Sequence, residues 1–231
     1  MHPRNRFLAR CLAHAAAGIG LIAAASAAAG SRDFIDLRRI TPLQGDAAAG
    51  KEKAAACGAC HGAAGIAPAS VFPNLAGQRA EYLYWQLVEF KREARPESPM
   101  TSQVANLDDA TMRDLAAYYA SLPPAPFNAQ ANASAAGAAI YREGDPERGT
   151  PPCQGCHGAD GGGHPLAAGD AHFRTYPMLR GQHADYVLQR LKNFRDGKHE
   201  SSSSDLVMTP IAKTLDDESM KAVAVWIESG Q

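Results

Sequence analysis

The pentapeptide Cys57-Gly58-Ala59-Cys60-His61 returns as Cys153-Gln154-Gly155-Cys156-His157, and nothing else in the chain limits its fold as strongly. These motifs hold four of the five cysteines; the fifth, Cys11, lies near the N-terminus. A disulfide framework is therefore excluded as the organising device. Three chemistries use Cys-x-x-Cys. A thioredoxin-like site belongs to an α/β chain and needs no histidine. A zinc site pairs two such motifs about 15–20 residues apart, whereas 92 residues separate Cys60 from Cys153. Covalent haem attachment does use the histidine. Two cysteines on one helical turn present both sulfurs to the vinyl groups of one porphyrin, and the adjacent imidazole faces the iron. The two motifs predict two haem c groups, with Cys57, Cys60, Cys153 and Cys156 as thioether positions and His61 and His157 as iron ligands.

The first 29 residues have the layout of a cleaved secretory signal peptide. Arg4, Arg6 and Arg10 precede an Ala-rich apolar run, Leu12 to Ala25, and Ala27-Ala28-Ala29 offers a small-residue cleavage site. A spanning helix needs about 20 strongly apolar residues; this run is Ala-rich and carries His14. Export also suits the cysteines, since a free thiol pair outside the cytosol is liable to oxidise. Without the three leader arginines, 20 basic face 24 acidic residues. That balance lacks the basic footprint of a nucleic-acid binder.

The remainder is one unit written twice. Cys57 and Cys153 lie 96 residues apart; Leu75-Ala76-Gly77-Gln78 and Leu179-Arg180-Gly181-Gln182 lie 104 apart. Met100 and Met208, like Leu107-Asp108-Asp109 and Leu215-Asp216-Asp217, lie 108 apart. The second copy therefore carries two insertions, one in the Gly-rich stretch after His157 and one near Ser201–Ser204. Loops accept such insertions at small entropic cost.

Each copy predicts the same helices. The first carries the Cys motif near its end, with Asp46 as N-cap of Ala47 to Ala56 in copy one. A middle helix presents Tyr82, Leu83, Leu87 and Phe90, or Tyr186, Val187, Leu191 and Phe194, on one apolar face. A last helix spans Asp108–Leu122 or Asp216–Ser229. Period-2 patterning is absent, so the chain reads as all-α. The expected layout is a 1–29 leader, a 30–45 extension, a domain at 46–123, a Pro-rich linker at 124–137 and a domain at 138–231. Units of this size bury only a small core, and a large apolar prosthetic group makes up the shortfall.

The sixth iron ligand comes from a short list. His61 is the only histidine of copy one, and Met100 and Met112 its only methionines. Met112 and its counterpart Met220 sit on the apolar side of the last helix and read as core. Met100 falls in a Pro-rich loop with Met208 at the matching place, so these two are the expected thioether ligands. His164, His172, His183, His199 and Met178 are alternatives in copy two, and none has a like residue in copy one. Thioether sulfur raises the reduction potential and fills the axial site, which favours electron transfer over chemistry on dioxygen or peroxide. A proline carbonyl is expected to orient each histidine, and Pro68 and Pro165 stand nearest.

These residues resemble the two-haem, class I cytochromes c of the c4 type. The match runs through Gly45-Asp46-Ala47-Ala48-Ala49-Gly50, Phe72-Pro73-Asn74-Leu75-Ala76-Gly77-Gln78, Pro99-Met100 and Leu115-Ala116-Ala117-Tyr118-Tyr119. In copy two it runs through Tyr176-Pro177, Gly181-Gln182-His183-Ala184-Asp185-Tyr186 and Met208-Thr209-Pro210. The resemblance implies two tandem class I cytochrome c domains related by a pseudo-twofold axis. It also implies a monomeric periplasmic electron carrier, free or loosely associated with a membrane surface. Its donor would be a quinol-oxidising complex or a dehydrogenase, and its acceptor a terminal oxidase. The alternative is the electron-accepting subunit of a periplasmic dehydrogenase; a dihaem peroxidase, for which the chain is short, ranks third. The extension and the longer loops at 158–175 and 197–207 depart from the pattern.

Overall fold

A computed structural model of the protein describes residues 34–95, 98–198 and 200–230. The leader lies outside the described residues, as does His199. Among the described residues five α-helices form the first half: α1 (Ala47–Lys53), α2 (Ala55–His61), α3 (Ala80–Lys91), α4 (Met100–Val104) and α5 (Asp109–Ser121). The second half repeats them as α6 (Ala135–Glu143), α7 (Gln154–His157), α8 (Ala184–Arg195), α9 (Ser203–Lys213) and α10 (Asp217–Ser229). Among the described residues β-structure is limited to two isolated bridges, Ile35↔Ser202 and Asp145↔Thr150. None of the described helices is long and apolar enough to cross a membrane.

The caps follow the sequence. The side chains of Asp46, Asp108 and Asp216 accept hydrogen bonds from backbone N–H groups in the first turns of α1, α5 and α10. Each satisfies donors that a helix start leaves open. The expected first helix is broken at Ala54, which separates α1 from α2. In copy two the break widens to a loop, so the second motif sits on a separate short turn, α7. Helix α6 begins at Ala135, inside the stretch read as linker, because Ser134 caps it by accepting from Gly137 N–H. The rest of that stretch packs down: Ala125 is buried, and Asn128 N–H donates to Glu228 O at 2.8 Å.

Each half is built where its first and last helices cross, α1 on α5 and α6 on α10, with the middle helix laid against the last. The crossing is too close for a side chain. A Cβ on Gly50 would lie 2.0 Å from Asp114 O, and one on Gly137 would lie 2.2 Å from Ala222 O. Met112 and Met220 are buried core residues. Cys57 packs against the Leu83–Tyr84–Leu115–Tyr119 cluster, and Cys153 against the Tyr141–Val187–Trp226 cluster. Each motif therefore opens onto its own half's core.

Residues 35–40 of the extension dock on the second half. Ile35 N–H donates to Ser201 O at 2.9 Å, Ser203 N–H donates to Ile35 O at 3.0 Å, and Leu37 is buried. Arg174 Nη1 donates to Ile40 O at 2.9 Å. The three departures from the repeat thus meet: residues 34–40 lie on both longer loops of copy two.

One buried acid is out of place for a small core. Glu89 on α3 is 2% exposed and accepts from Gln86 Nε2 at 3.0 Å. Burial, then the nearby Asp205 carboxylate, push its carboxyl up to about 7 against the opposing Arg95 guanidinium. The folded state therefore holds a proton that the unfolded chain releases near 4.5. Stability from this group is present below that pH and is lost as pH rises toward 7. Glu89→Gln is expected to flatten this slope, leaving the variant on the order of 2 kcal/mol more stable than the parent at pH 8. Denaturant unfolding of the holo-protein at pH 4.5 and pH 8 measures it; a wild-type slope in the variant would refute the assignment.

Candidate haem sites

Helix α2 ends on His61 and α7 on His157, and both rings are buried, at 5% and 7% exposure. His61 Nδ1–H donates to Pro73 O and His157 Nδ1–H to Pro177 O, each at 2.9 Å. A carbonyl only accepts, so these bonds fix the proton on Nδ1 and leave the lone pair on Nε2. Burial pulls both imidazoles below the usual histidine range, against the proline carbonyls, which favour the charged form. A buried neutral imidazole with an anchored Nδ1–H is the form that ligates a metal.

The expected prolines were the wrong ones. Pro165 instead opens a short 3-10 turn, Pro165–Ala168, capped by His164, and neither it nor Pro68 bonds the ring. The repeat carried the right signal: Phe72-Pro73 and Tyr176-Pro177 keep the 104-residue offset, whereas Pro68 and Pro165 do not. The preceding aromatics stand beside the imidazoles, Phe72 at 6.2 Å from the His61 ring and Tyr176 at 6.4 Å from that of His157.

None of the four motif cysteines is in a disulfide. Burial raises the thiols of Cys57 and Cys156, and pushes Cys153 up to about 11. At these three positions burial favours the protonated thiol over the thiolate that redox and zinc sites use.

Met100 opens α4 behind Pro99 and is half-buried. Met208 was expected in a loop, but it lies within α9. The serine run starts a helix because Ser202 and Asp205 form a capping box. Helices α4 and α9 pack on the middle helices α3 and α8. The rival histidines have other partners. His164 stacks on Phe173 at 3.5 Å, His172 Nε2 bonds Tyr176 OH at 3.2 Å, and His183 Nε2–H donates to Ala67 O at 3.0 Å.

The donor set fits a covalently bound haem in each half. Two thiols and an imidazole share one turn, and a thioether-bearing helix stands in the same half. Thr209 Oγ1, next to Met208, and the Nε of the buried Arg95 find no protein partner, as expected where a large group bearing acceptors binds.

A helical chain that carries a Cys-x-x-Cys-His turn ending on a buried, anchored histidine in each half has the features of a c-type haem protein. The cytochrome c family model matches residues 47–123 and again 134–231, and the chain belongs to that family. It is similar to cytochrome c4 of Pseudomonas aeruginosa, 41% identical over 84% of this chain and 93% of that protein. It is also similar to a thiosulfate dehydrogenase electron acceptor of Thiomonas intermedia, 35% identical over 85% and 93%. Among solved structures, reduced recombinant cytochrome c4 from Pseudomonas stutzeri superposes with a TM-score of 0.72, at 35% identity over 80% of this chain and 99% of that one. The protein is a two-domain, dihaem electron carrier with two covalently bound haem c groups.

Proposed function

We propose that the protein carries electrons in the periplasm between a quinol-oxidising complex or dehydrogenase and a terminal oxidase, and has no catalytic reaction of its own. Its haems are held through Cys57 and Cys60, and through Cys153 and Cys156. His61 with Met100, and His157 with Met208, would supply the protein ligands of the two irons. Each bound haem c supplies an iron that takes up and gives back one electron. The chain's part is to fix the imidazoles, exclude water and fill both axial positions, so that little moves when the charge changes.

The carrying observation is the pair of 2.9 Å bonds from His61 Nδ1–H and His157 Nδ1–H to repeat-matched proline carbonyls. Both histidines are thereby held alike, which supports one shared role for the two sites. The test is oxidation of the reduced protein by membranes holding a haem–copper oxidase. Cyanide-sensitive oxidation in tens of milliseconds is expected; oxidation no faster than by air alone would count against the oxidase as acceptor. The Thiomonas intermedia relative favours a second reading, an acceptor for a thiosulfate-oxidising dehydrogenase. Rapid reduction by such an enzyme with thiosulfate, and none by a quinol-oxidising complex, would select it.

A further inference from the structure

Two glutamines cross between the halves in matching ways. Asn74 N–H donates to Gln182 Oε1 at 2.8 Å, and Gln182 Nε2 donates to Asn74 O at 3.0 Å. In the mirror arrangement Met178 N–H donates to Gln78 Oε1 at 2.8 Å, and Gln78 Nε2 donates to Met178 O at 2.8 Å. Gln78 with Gln182, and Asn74 with Met178, keep the 104-residue offset of the repeat. Both carboxamides are buried, and each also accepts the N–H of its own successor, Arg79 or His183. That third bond locks the side chain's direction.

The clamped residues are the ones that follow Pro73 and Pro177. The peptide unit joining Pro73 to Asn74 therefore accepts from His61 Nδ1–H through its carbonyl and donates through its N–H to Gln182 of the other half. The unit joining Pro177 to Met178 does the same between His157 and Gln78. A peptide whose N–H donates is polarised, and its carbonyl becomes a better acceptor. A better acceptor on Nδ1–H makes Nε2 a stronger donor to a metal and fixes the ring plane. Stronger donation favours oxidised iron.

We infer that Gln78 and Gln182 are positioning residues acting across the domain boundary, each setting the orientation and donor strength of the haem histidine of the opposite half. This rests on His61 and His157 being the axial ligands. Two small domains docked by side chains alone need no such cross; here the docking bonds end on the peptides that hold the ligands. Undocking or loosening one half would then alter the iron of the other.

The test is a redox titration of holo-protein Gln182→Leu and Gln78→Leu, with each haem followed by its own paramagnetic NMR signals. Gln182→Leu is expected to raise the potential of the haem on Cys57 and Cys60. The reduced-to-oxidised ratio at fixed potential changes about three- to tenfold, tenfold being about 59 mV for one electron. The haem on Cys153 and Cys156 moves less than half as far. Gln78→Leu gives the reverse pattern, and His61 Nδ1–H exchanges faster in Gln182→Leu only. Equal shifts, shifts confined to the substituted half, or none would overturn the inference. If a Leu variant fails to assemble, Gln182→Glu keeps an acceptor for Asn74 N–H and is expected to lower the first haem's potential relative to the second; a parallel fall in both would overturn it. Failure of the ligation reading shows separately, as a high-spin spectrum of the wild-type protein.

Discussion

Met208→His lowers the potential of the haem on Cys153 and Cys156 by on the order of 0.2 V, within the roughly 0.8 V that axial ligands span, and leaves the other haem nearly unchanged. Met100→His does the same for the haem on Cys57 and Cys60. The expectation follows from the donor. Thioether sulfur is a weak donor that favours reduced iron, and imidazole is a stronger one that favours oxidised iron. The two methionines sit at matching repeat positions, half-buried on α4 and α9. Optical redox titration reads the shift, and the weak Met–iron(III) charge-transfer band should lose about half its intensity in either variant. Met112→Leu is the control: Met112 is buried core in α5, and a volume-conserving change there is expected to cost less than about 1.5 kcal/mol and to leave both potentials in place. An unmoved potential in Met208→His would remove Met208 from the iron.

Gly137→Ala is expected to destabilise the protein by about 2–4 kcal/mol, against the roughly 1 kcal/mol gain that Gly→Ala brings in an open helix. The reversal comes from the α6–α10 crossing. The new Cβ would stand 2.2 Å from Ala222 O and 2.8 Å from Ala222 C, both backbone atoms that give only if α10 moves. Moving α10 disturbs Trp226, which is buried and stacked on Tyr141 with ring centroids 4.1 Å apart. Tyr141 OH in turn donates to Gly158 O, next to His157. A loss of that size is a large share of the total of about 5–15 kcal/mol typical of a domain. Gly155→Ala, where a Cβ meets nothing within 4 Å, is expected to be neutral or mildly stabilising. Denaturant midpoints of the holo-proteins decide it; equal effects would mean that the crossing tolerates a side chain.

The amino-acid sequence made legible what repeats or caps. The paired motifs pointed to two haem c groups, the 108-residue offset paired Met100 with Met208, and the capping aspartates marked where α5 and α10 begin. Met112 and Met220 were legible as core from helical spacing alone. The histidine anchors were missed because they were sought by nearness in sequence. Pro73 is 12 residues from His61 and Pro177 is 20 from His157, since the added loop of copy two lies between. Met208 was misplaced because four serines read as loop, although Ser202 with Asp205 spells a helix start. The docking of Ile35 on Ser201 and Ser203, and the crossed bonds of Gln78 and Gln182, join residues 100 or more positions apart. No local pattern encodes which surfaces meet, so these needed the fold.

The central claim is that both irons are filled by protein side chains and that the molecule only passes electrons. Carbon monoxide titration of the fully reduced holo-protein at neutral pH tests it most directly. The account predicts two low-spin haems per chain and no change in either spectrum at millimolar carbon monoxide. Stoichiometric binding at one haem or both would contradict it.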